Sequence, residues 1–226
     1  PAVRRAGGRP ADFFVDVPGL GGRASEPRVE TLAVTYGTSA QQVFHVGWGT
    51  IATPGCFAGY LEAHRRWGRL PIADVVAPAI RSARDGVRLH GAQMEFIHVI
   101  GGILQLTPES AALYAGPLNG EPFRDPAYAD VLDAVASGAL SGSDDPAFTE
   151  PIVAAMRENG GLLTLRDITS YRAIERRPIS ARRGDATIWT NPPPSFGGSI
   201  VLEALGGTPP TDNPSRMWPS MVTALQ

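Results

Sequence analysis

Two carboxylates lie four residues apart near the start of the sequence, in the stretch DFFVDV. If this stretch is a strand, Asp12, Phe14 and Asp16 share one face, because alternate side chains of a strand point the same way. Two carboxylates on one face can act as a general acid and a general base. The alternative is that both aspartates are solvated side chains of an exposed strand, and the residue types alone favour that alternative.

Other reactive side chains occur singly. Cys56 follows a Pro-Gly turn at a predicted helix start, where thiols can become reactive, but a small buried residue is the favoured interpretation. Ser195 and Ser199 flank two glycines without the G-x-S-x-G spacing of a hydrolase serine, so they are interpreted as turn and capping residues. The four histidines show no H-E-x-x-H spacing and the single cysteine has no pair, so we expect no metal site.

The composition excludes several classes of function. Of 226 residues, 43% are hydrophobic and 19% are charged, which is typical of a globular protein. The net charge of -2 provides no excess of positive charge for nucleic acid or an acidic membrane. All 20 basic residues are arginine, which excludes a Schiff-base or P-loop lysine in this chain. The run GLGG at 19–22 lacks the dinucleotide-binding spacing and is interpreted as a turn, so we expect no cofactor.

Strand-like and helix-like segments follow one another along the chain. Strands are predicted at 12–17, 29–37 and 41–48, which are rich in β-branched and aromatic residues. The chain is then mostly helical to Ala155, and Pro78 is expected to break one helix into two pieces. Strand-like composition returns at 172–190. This order indicates a layered α+β or α/β domain.

Proline marks several predicted helix starts. Thr107-Pro108, Asp125-Pro126 and Asp145-Pro146 each combine a capping side chain with proline at the first helical position. The stretch TLRD at 164–167 has the spacing of a capping box, with aspartate in the usual glutamate role. A different arrangement follows at 190–198, TNPPPSFGG, where three prolines restrict the backbone and two glycines relax it before a predicted helix. We call this segment the proline arm.

Four stretches resemble, in order, the large subunit of γ-glutamyltranspeptidase-like proteins. They are FHVGWGTIATPG, then PGCFAGYLEAHRRWGRLPIADVVAPAIRSARDGV, then GGLLTLRDITSYRAIERRPIS, and finally TNPPPSFGGSIVLEAL. The resemblance runs from about residue 12 to about residue 205.

The resemblance implies an α+β fold, the αββα sandwich of the N-terminal-nucleophile hydrolases, completed only with the small subunit. A proenzyme of this kind cuts itself, and the new N-terminal threonine of the small subunit is both nucleophile and, through its amine, general base. Residues 1–226 would be the large-subunit portion, with the opening part of that subunit absent and no catalytic residue in this chain. The expected partners are the small subunit and a small-molecule substrate, without cofactor, metal, nucleic acid or membrane. The expected location is cytoplasmic, with a secreted or periplasmic location left open.

The sequence departs from the family where the substrate would bind. Transpeptidases carry D-F-R-E-x-A-P, and their arginine holds the α-carboxylate of the glutamyl group. Here the segment is DFFVDVP, as expected for a bacterial subgroup with phenylalanine in the arginine position. The residues expected to bind substrate are Asp12, Phe13, Phe14 and Asp16, together with Ser195 and Phe196 of the proline arm.

The resemblance therefore implies an amide or acyl hydrolase that does not act on γ-glutamyl substrates. One alternative is a carbon–carbon bond hydrolase of the kind used by actinobacteria to make alkylproline antibiotics, a host that the arginine-only composition suits. The other alternative is a non-catalytic homologue that binds a ligand or partner without turnover.

Overall fold

A computed structural model describes residues 11–22, 26–37 and 40–207. These residues form two units. The larger unit is Val15–Tyr171, and the described part of the smaller unit is 11–14 with 172–207. The chain therefore passes between the units twice, after Phe14 and after Tyr171.

The elements follow the predicted order of strands, helices, strands and a final helix, and the α+β class is confirmed. In chain order they are β1 (Ala11–Asp12), β2 (Glu30–Tyr36), β3 (Ala40–Val46), a 3-10 turn (Trp48–Thr50), α1 (Cys56–Trp67), α2 (Ile72–Asp85), α3 (Ala92–Val99), α4 (Gly101–Leu104), α5 (Pro108–Leu118), α6 (Pro126–Ser137), α7 (Pro146–Asn159), α8 (Leu165–Ser170), β4 (Ile174–Glu175), β5 (Ile179–Arg183), β6 (Ala186–Thr190) and α9 (Phe196–Gly207). Within the described ranges, no helix is long and apolar enough to cross a membrane.

The larger unit combines a β-hairpin with the helices α1 to α8. Strands β2 and β3 pair antiparallel from Glu30↔Val46 to Tyr36↔Ala40. A buried cluster lies where α7 meets α8. Val153 and Met156 of α7 are three residues apart and therefore lie on one face of the helix. The members of the cluster are Val153, Met156, Leu163 and Ile168, with the partly buried Trp48 and Ile152 packed against them.

The smaller unit contains two short antiparallel pairs and one helix. Strand β1 pairs with β4 through Ala11↔Glu175 and Asp12↔Ile174. Strands β5 and β6 pair from Ile179↔Thr190 to Arg183↔Ala186. The proline arm then leads from β6 into α9.

The predicted helix starts are confirmed, each with its capping side chain. The Thr107 hydroxyl accepts from the Ser110 amide at 3.2 Å, and the Asp125 carboxylate accepts from the Tyr128 amide at 2.9 Å. Asp145 accepts from the Ala147 amide at 3.0 Å. The capping box at the start of α8 is complete in both directions. These starts were predictable because both partners lie within three residues of each other.

The predicted strand at 12–17 is wrong. Strand β1 ends at Asp12, whose carboxylate accepts a hydrogen bond from the Phe14 amide at 2.9 Å. A side chain that takes the amide two residues on turns the chain locally and competes with strand pairing. Asp12, Phe14 and Asp16 consequently do not share the face of one strand.

The predicted break at Pro78 is also wrong, since α2 continues through it from Ile72 to Asp85. Pro78 is exposed, and α2 packs along α6. Arg84 of α2 binds both Asp130 at 3.1 Å and Asp133 on α6. Contacts with the neighbouring helix therefore offset the one backbone hydrogen bond that proline removes.

The cluster between α7 and α8 provides a test of the fold. Ile168 is 2% exposed and Leu165, on the same helix, is 49% exposed. We expect Ile168→Ala to lower the free energy of unfolding by about 2–4 kcal/mol, because it leaves a cavity. Leu165→Ala should change it by less than about 0.5 kcal/mol. Denaturant unfolding of both variants measures this, and equal losses would contradict the described packing.

Candidate substrate-binding site

The segment after β1 is held by the Asp12 carboxylate. One oxygen accepts from the Phe14 amide at 2.9 Å, and the other accepts from Nε of Arg176. Burial alone would raise the pKa of Asp12, but the Arg176 hydrogen bond and the Phe14 amide outweigh it and lower that pKa. Asp12 is therefore an ionised anchor for the backbone at Phe14.

The phenyl ring of Phe14 is 58% exposed, whereas Phe13 is half-buried. Val15 and Val17 further along the segment are also exposed. The side chains after Asp12 thus present apolar surface, with Asp16 as the one charged group among residues 13–18. An apolar portion of a ligand suits such a surface better than a carboxylate does.

Asp16 belongs to the larger unit, whereas Asp12 belongs to the smaller unit. The Asp16 carboxylate accepts from the Val17 amide at 2.9 Å. Its backbone forms a bridge with Thr53, with hydrogen bonds of 2.8 and 3.2 Å. The two aspartates are engaged by different neighbours, and they do not share the strand face on which the predicted carboxylate pair depends.

The proline arm forms a tight connection between β6 and α9. Ser195 is half-buried and its amide donates to the Pro192 carbonyl at 3.1 Å, while Phe196 at the start of α9 is 75% exposed. Gly198 is buried against the opening of the arm. A Cβ atom there would overlap the carbonyl oxygen of Asn191 and lie 2.5 Å from Oγ1 of Thr190. The second glycine therefore allows a close approach of α9 to the arm.

The interpretation of Gly19–Gly22 as a turn is confirmed by a hydrogen bond from the Gly22 amide to the Gly19 carbonyl at 3.1 Å. Sequence analysis missed what holds this turn. Oδ1 of Asp167 accepts from the amides of Gly19 and Leu20, both at 2.8 Å. Its Oδ2 accepts from the amide and hydroxyl of Thr164, at 2.7 and 2.5 Å. The capping-box spacing predicts the two donors of Thr164, but no local sequence signal predicts the amides of Gly19 and Leu20.

Asp167 is 2% exposed. Its burial favours the neutral acid and raises the pKa, but the Thr164 hydroxyl and the amides of Leu20, Thr164 and Gly19 outweigh this and lower it. The four donors therefore keep a buried carboxylate charged.

Two further candidates from the sequence lie at helix starts. Cys56 is exposed at the start of α1, so the interpretation of this residue as a small buried one is wrong. Ser199 follows the proline arm in the first turn of α9. A cleft of about 900 Å³ in the larger unit is lined by the β2–β3 hairpin, the start of α5 and the end of α7, and its lining includes none of the predicted substrate-binding residues. Among the described residues, no three His, Cys, Asp or Glu side chains could jointly hold a metal ion.

Comparison with known proteins identifies the family. Residues 21–219 match the Gamma-glutamyltranspeptidase family. The chain belongs to this family. The glutathione hydrolase proenzyme of Escherichia coli is 32% identical over 160 residues, which are 68% of this chain and 27% of that protein. The mouse glutathione hydrolase 5 proenzyme is 30% identical over 193 residues, or 79% of this chain and 33% of that protein. The chain thus spans about a quarter to a third of these relatives.

Solved structures show the same fold. The γ-glutamyltranspeptidase of Helicobacter pylori superposes with a TM-score of 0.71 at 20% identity, covering 97% of this chain and 68% of that one. The cephalosporin acylase of Bacillus halodurans superposes with a TM-score of 0.69 at 20% identity, covering 96% and 41%. The chain therefore has the mixed helix-and-sheet fold of these structures.

Two adjacent glycines test the packing of the proline arm. Gly198→Ala should lower the free energy of unfolding by about 1–3 kcal/mol, because the new methyl group overlaps the arm. Gly197→Ala is the matched control, since nothing lies within 4 Å of a Cβ atom there. Alanine at 197 should be neutral or stabilising by up to about 1 kcal/mol. Thermal unfolding compares the two, and a tolerated alanine at 198 would show that the arm does not contact α9 as described.

Proposed function

We propose that this chain is the large-subunit portion of a self-processing hydrolase whose nucleophile is the N-terminal threonine of a small subunit. The family match over residues 21–219 is the observation that carries the proposal. The relatives are named as proenzymes and are about three to four times longer than the matched region. In the proposed reaction the threonine oxygen attacks a substrate carbonyl and its proton passes to the threonine amine. The leaving group takes that proton, and water then hydrolyses the acyl ester.

Exposed apolar side chains of the smaller unit support the proposed partner. Trp189 of β6 and Phe196, Ile200 and Val201 of α9 are between 42% and 75% exposed. Phe196 and Ile200 are four residues apart and lie on one side of the helix. Apolar surface of this kind is typical of a face that a second polypeptide covers.

The substrate that this site favours has an apolar acyl portion. Phe14 stands where the family resemblance places the arginine that binds the glutamyl α-carboxylate, and a phenyl ring cannot form that ion pair. Loss of a charge-assisted hydrogen bond costs about 1.5–3 kcal/mol, which is roughly tenfold to a hundredfold in affinity. Arg176, the guanidinium bound to Asp12, is already committed to that carboxylate. We therefore infer hydrolysis of an amide or acyl bond in a substrate other than a γ-glutamyl compound.

Substitution of Phe14 tests whether the protein excludes γ-glutamyl substrates. The assembled protein should show negligible turnover of γ-glutamyl p-nitroanilide, and Phe14→Arg should lower the KM for this compound by roughly tenfold or more. Val17→Arg adds the same charge at an exposed neighbouring position and should not produce this effect. Steady-state kinetics of the three proteins decides the question. Robust γ-glutamyl activity in the unmodified protein would refute the inference.

Intact-protein mass spectrometry tests the proposed processing. The full-length protein should separate into two fragments whose masses sum to that of the precursor. An electrophilic inhibitor directed at N-terminal threonine should label the fragment that does not contain residues 1–226. An uncut, unlabelled chain would instead favour the non-catalytic binding homologue. Product analysis of the processed, unlabelled enzyme with candidate substrates distinguishes amide from carbon–carbon bond cleavage.

A further inference from the structure

The cleft of about 900 Å³ in the larger unit has the size of a small-molecule binding site. Protein cavities that bind drug-sized ligands measure about 300–1,000 Å³, and they are mostly apolar with a few polar groups. All the residues that line this cleft lie between Arg28 and Asn159, within one unit. The cleft is therefore formed by residues of the larger unit.

Hydrogen bonds between elements hold the walls of the cleft in place. The Arg28 amide donates to the Gly160 carbonyl at 2.9 Å, and the Gly49 amide donates to the Arg28 carbonyl at 2.8 Å. These two bonds join the segment before β2 to the end of α7 and to the 3-10 turn. At α5, Oγ of Ser110 donates to the Leu104 carbonyl at 2.6 Å and fixes the corner between α4 and α5. A ligand would thus meet a preformed surface, which lowers the entropic cost of binding.

Apolar side chains form a large part of the lining. Trp48 packs against the buried cluster of α7 and α8 and also lines the cleft, so its ring is held by the core. Ile103 of α4 and Leu106, which follows that helix, line the cleft as well. An aromatic or alkyl group can be removed from water here. The indole of Trp48 also attracts a cation placed over its face.

The charged side chains of the lining carry an excess of negative charge. Arg28 and Glu30 form an ion pair, with 3.3 Å between Nε and Oε1, and so compensate one another. Glu109 and Glu158 line the cleft too. With partners counted from the described part of the chain alone, neither of these two glutamates forms an ion pair. The cleft therefore attracts a cation and repels an anion.

The position of Glu158 strengthens the preference for a cation. Glu158 lies in the last turn of α7, where the helix dipole places partial negative charge. A carboxylate is unfavourable at this end of a helix, and a bound cation compensates both the carboxylate and the dipole. Arg157 lies in the same turn but is not part of the cleft lining. Glu109 lies in the first turn of α5, where the dipole favours a carboxylate. We therefore expect Glu158 to contribute more than Glu109 to cation binding.

We propose that this cleft binds an amphipathic organic cation. The aromatic or alkyl body of the ligand contacts Trp48, Ile103 and Leu106, and its protonated amine lies beside Glu158, with Glu109 adding to the negative potential. The inference goes beyond the proposed function, because it concerns a ligand that is bound without being cleaved. Its test requires neither turnover nor processing of the protein.

Three probes with the same phenylbutyl body and different head groups test the proposal in the full-length protein. They are phenylbutylamine, phenylbutanol and phenylbutyrate, titrated at about pH 8, where a primary amine is protonated and histidine such as His45 is ordinarily neutral. The amine should bind with a Kd of about 1 mM or tighter. The alcohol should bind about threefold or more weakly, and the carboxylate about tenfold or more weakly. Ligand-observed NMR titration measures the three affinities, and added salt should weaken the binding of the amine most.

Substitution of the two glutamates tests which groups provide the selectivity. Glu158→Gln removes the charge and keeps the size, and should weaken phenylbutylamine binding about threefold to tenfold without changing that of phenylbutanol. Glu109→Gln should weaken it about twofold to threefold. Glu150→Gln is the matched control, because Glu150 is an exposed residue of α7 that is not part of the cleft lining. It should leave all three affinities unchanged, and thermal unfolding checks that each variant is folded.

Each contrary outcome overturns the proposal. Equal affinity for phenylbutylamine and phenylbutyrate would show that the glutamates do not select the ligand. Tighter binding of phenylbutyrate would show that Arg28 sets the preference instead. Equal effects of Glu158→Gln and Glu150→Gln would place the bound amine outside the cleft. Failure of all three probes to bind would show that the cleft takes no such ligand, as when a second polypeptide covers it in the full-length protein.

Discussion

In the larger unit, the contact between the start of α8 and the Gly19–Leu20 turn depends on the carboxylate of Asp167. A charge removed from water is tolerated only if its hydrogen-bonding capacity is filled, and here four donors fill it. Two donors come from the start of α8 and two from a turn about 150 residues earlier in the chain. Because loss of either pair would leave a buried charge partly unsatisfied, the helix start and the turn stabilise one another.

The proposed substrate-binding segment, residues 12–18, contains two charged side chains, and both accept hydrogen bonds. Asp12 is neutralised by Arg176 and fixes the amide of Phe14, and Asp16 accepts from its own neighbour Val17. The exposed remainder is apolar. This arrangement keeps the backbone of the segment ordered, and residues 13–18 contain no basic side chain, which is why we propose an apolar acyl group rather than an α-carboxylate as the ligand. The proposed acyl-transfer chemistry does not itself require a cation at this position, so a change of substrate is compatible with the proposed threonine nucleophile.

In the proposed assembly, this chain positions the substrate and the partner supplies the nucleophile. It spans a quarter to a third of its glutathione hydrolase relatives, and its smaller unit exposes Trp189 and Phe196 beside the proline arm. Gly198 packs against Asn191 and Thr190, so the arm and α9 form one closely packed element. A second polypeptide bound to this face would meet a surface whose backbone is already ordered, which lowers the entropic cost of association.

The sequence by itself determined the features whose partners are close along the chain. These are the proline-started helices at Thr107, Asp125 and Asp145, the capping box at Thr164, the turn at Gly19–Gly22 and the order of strands and helices. The residue types of the candidate site were likewise evident, including phenylalanine at position 14. Only the tertiary structure decided that the strand ends at Asp12, that α2 continues through Pro78, that Asp12 and Asp16 lie in different units, and that Asp167 reaches the Gly19 turn. The hydrogen bond from Phe14 to Asp12 is local, but the other contacts involve partners far along the chain, such as α6 for α2 and the Gly19 turn for Asp167. Local propensity contains no information about which distant group will fill a hydrogen bond.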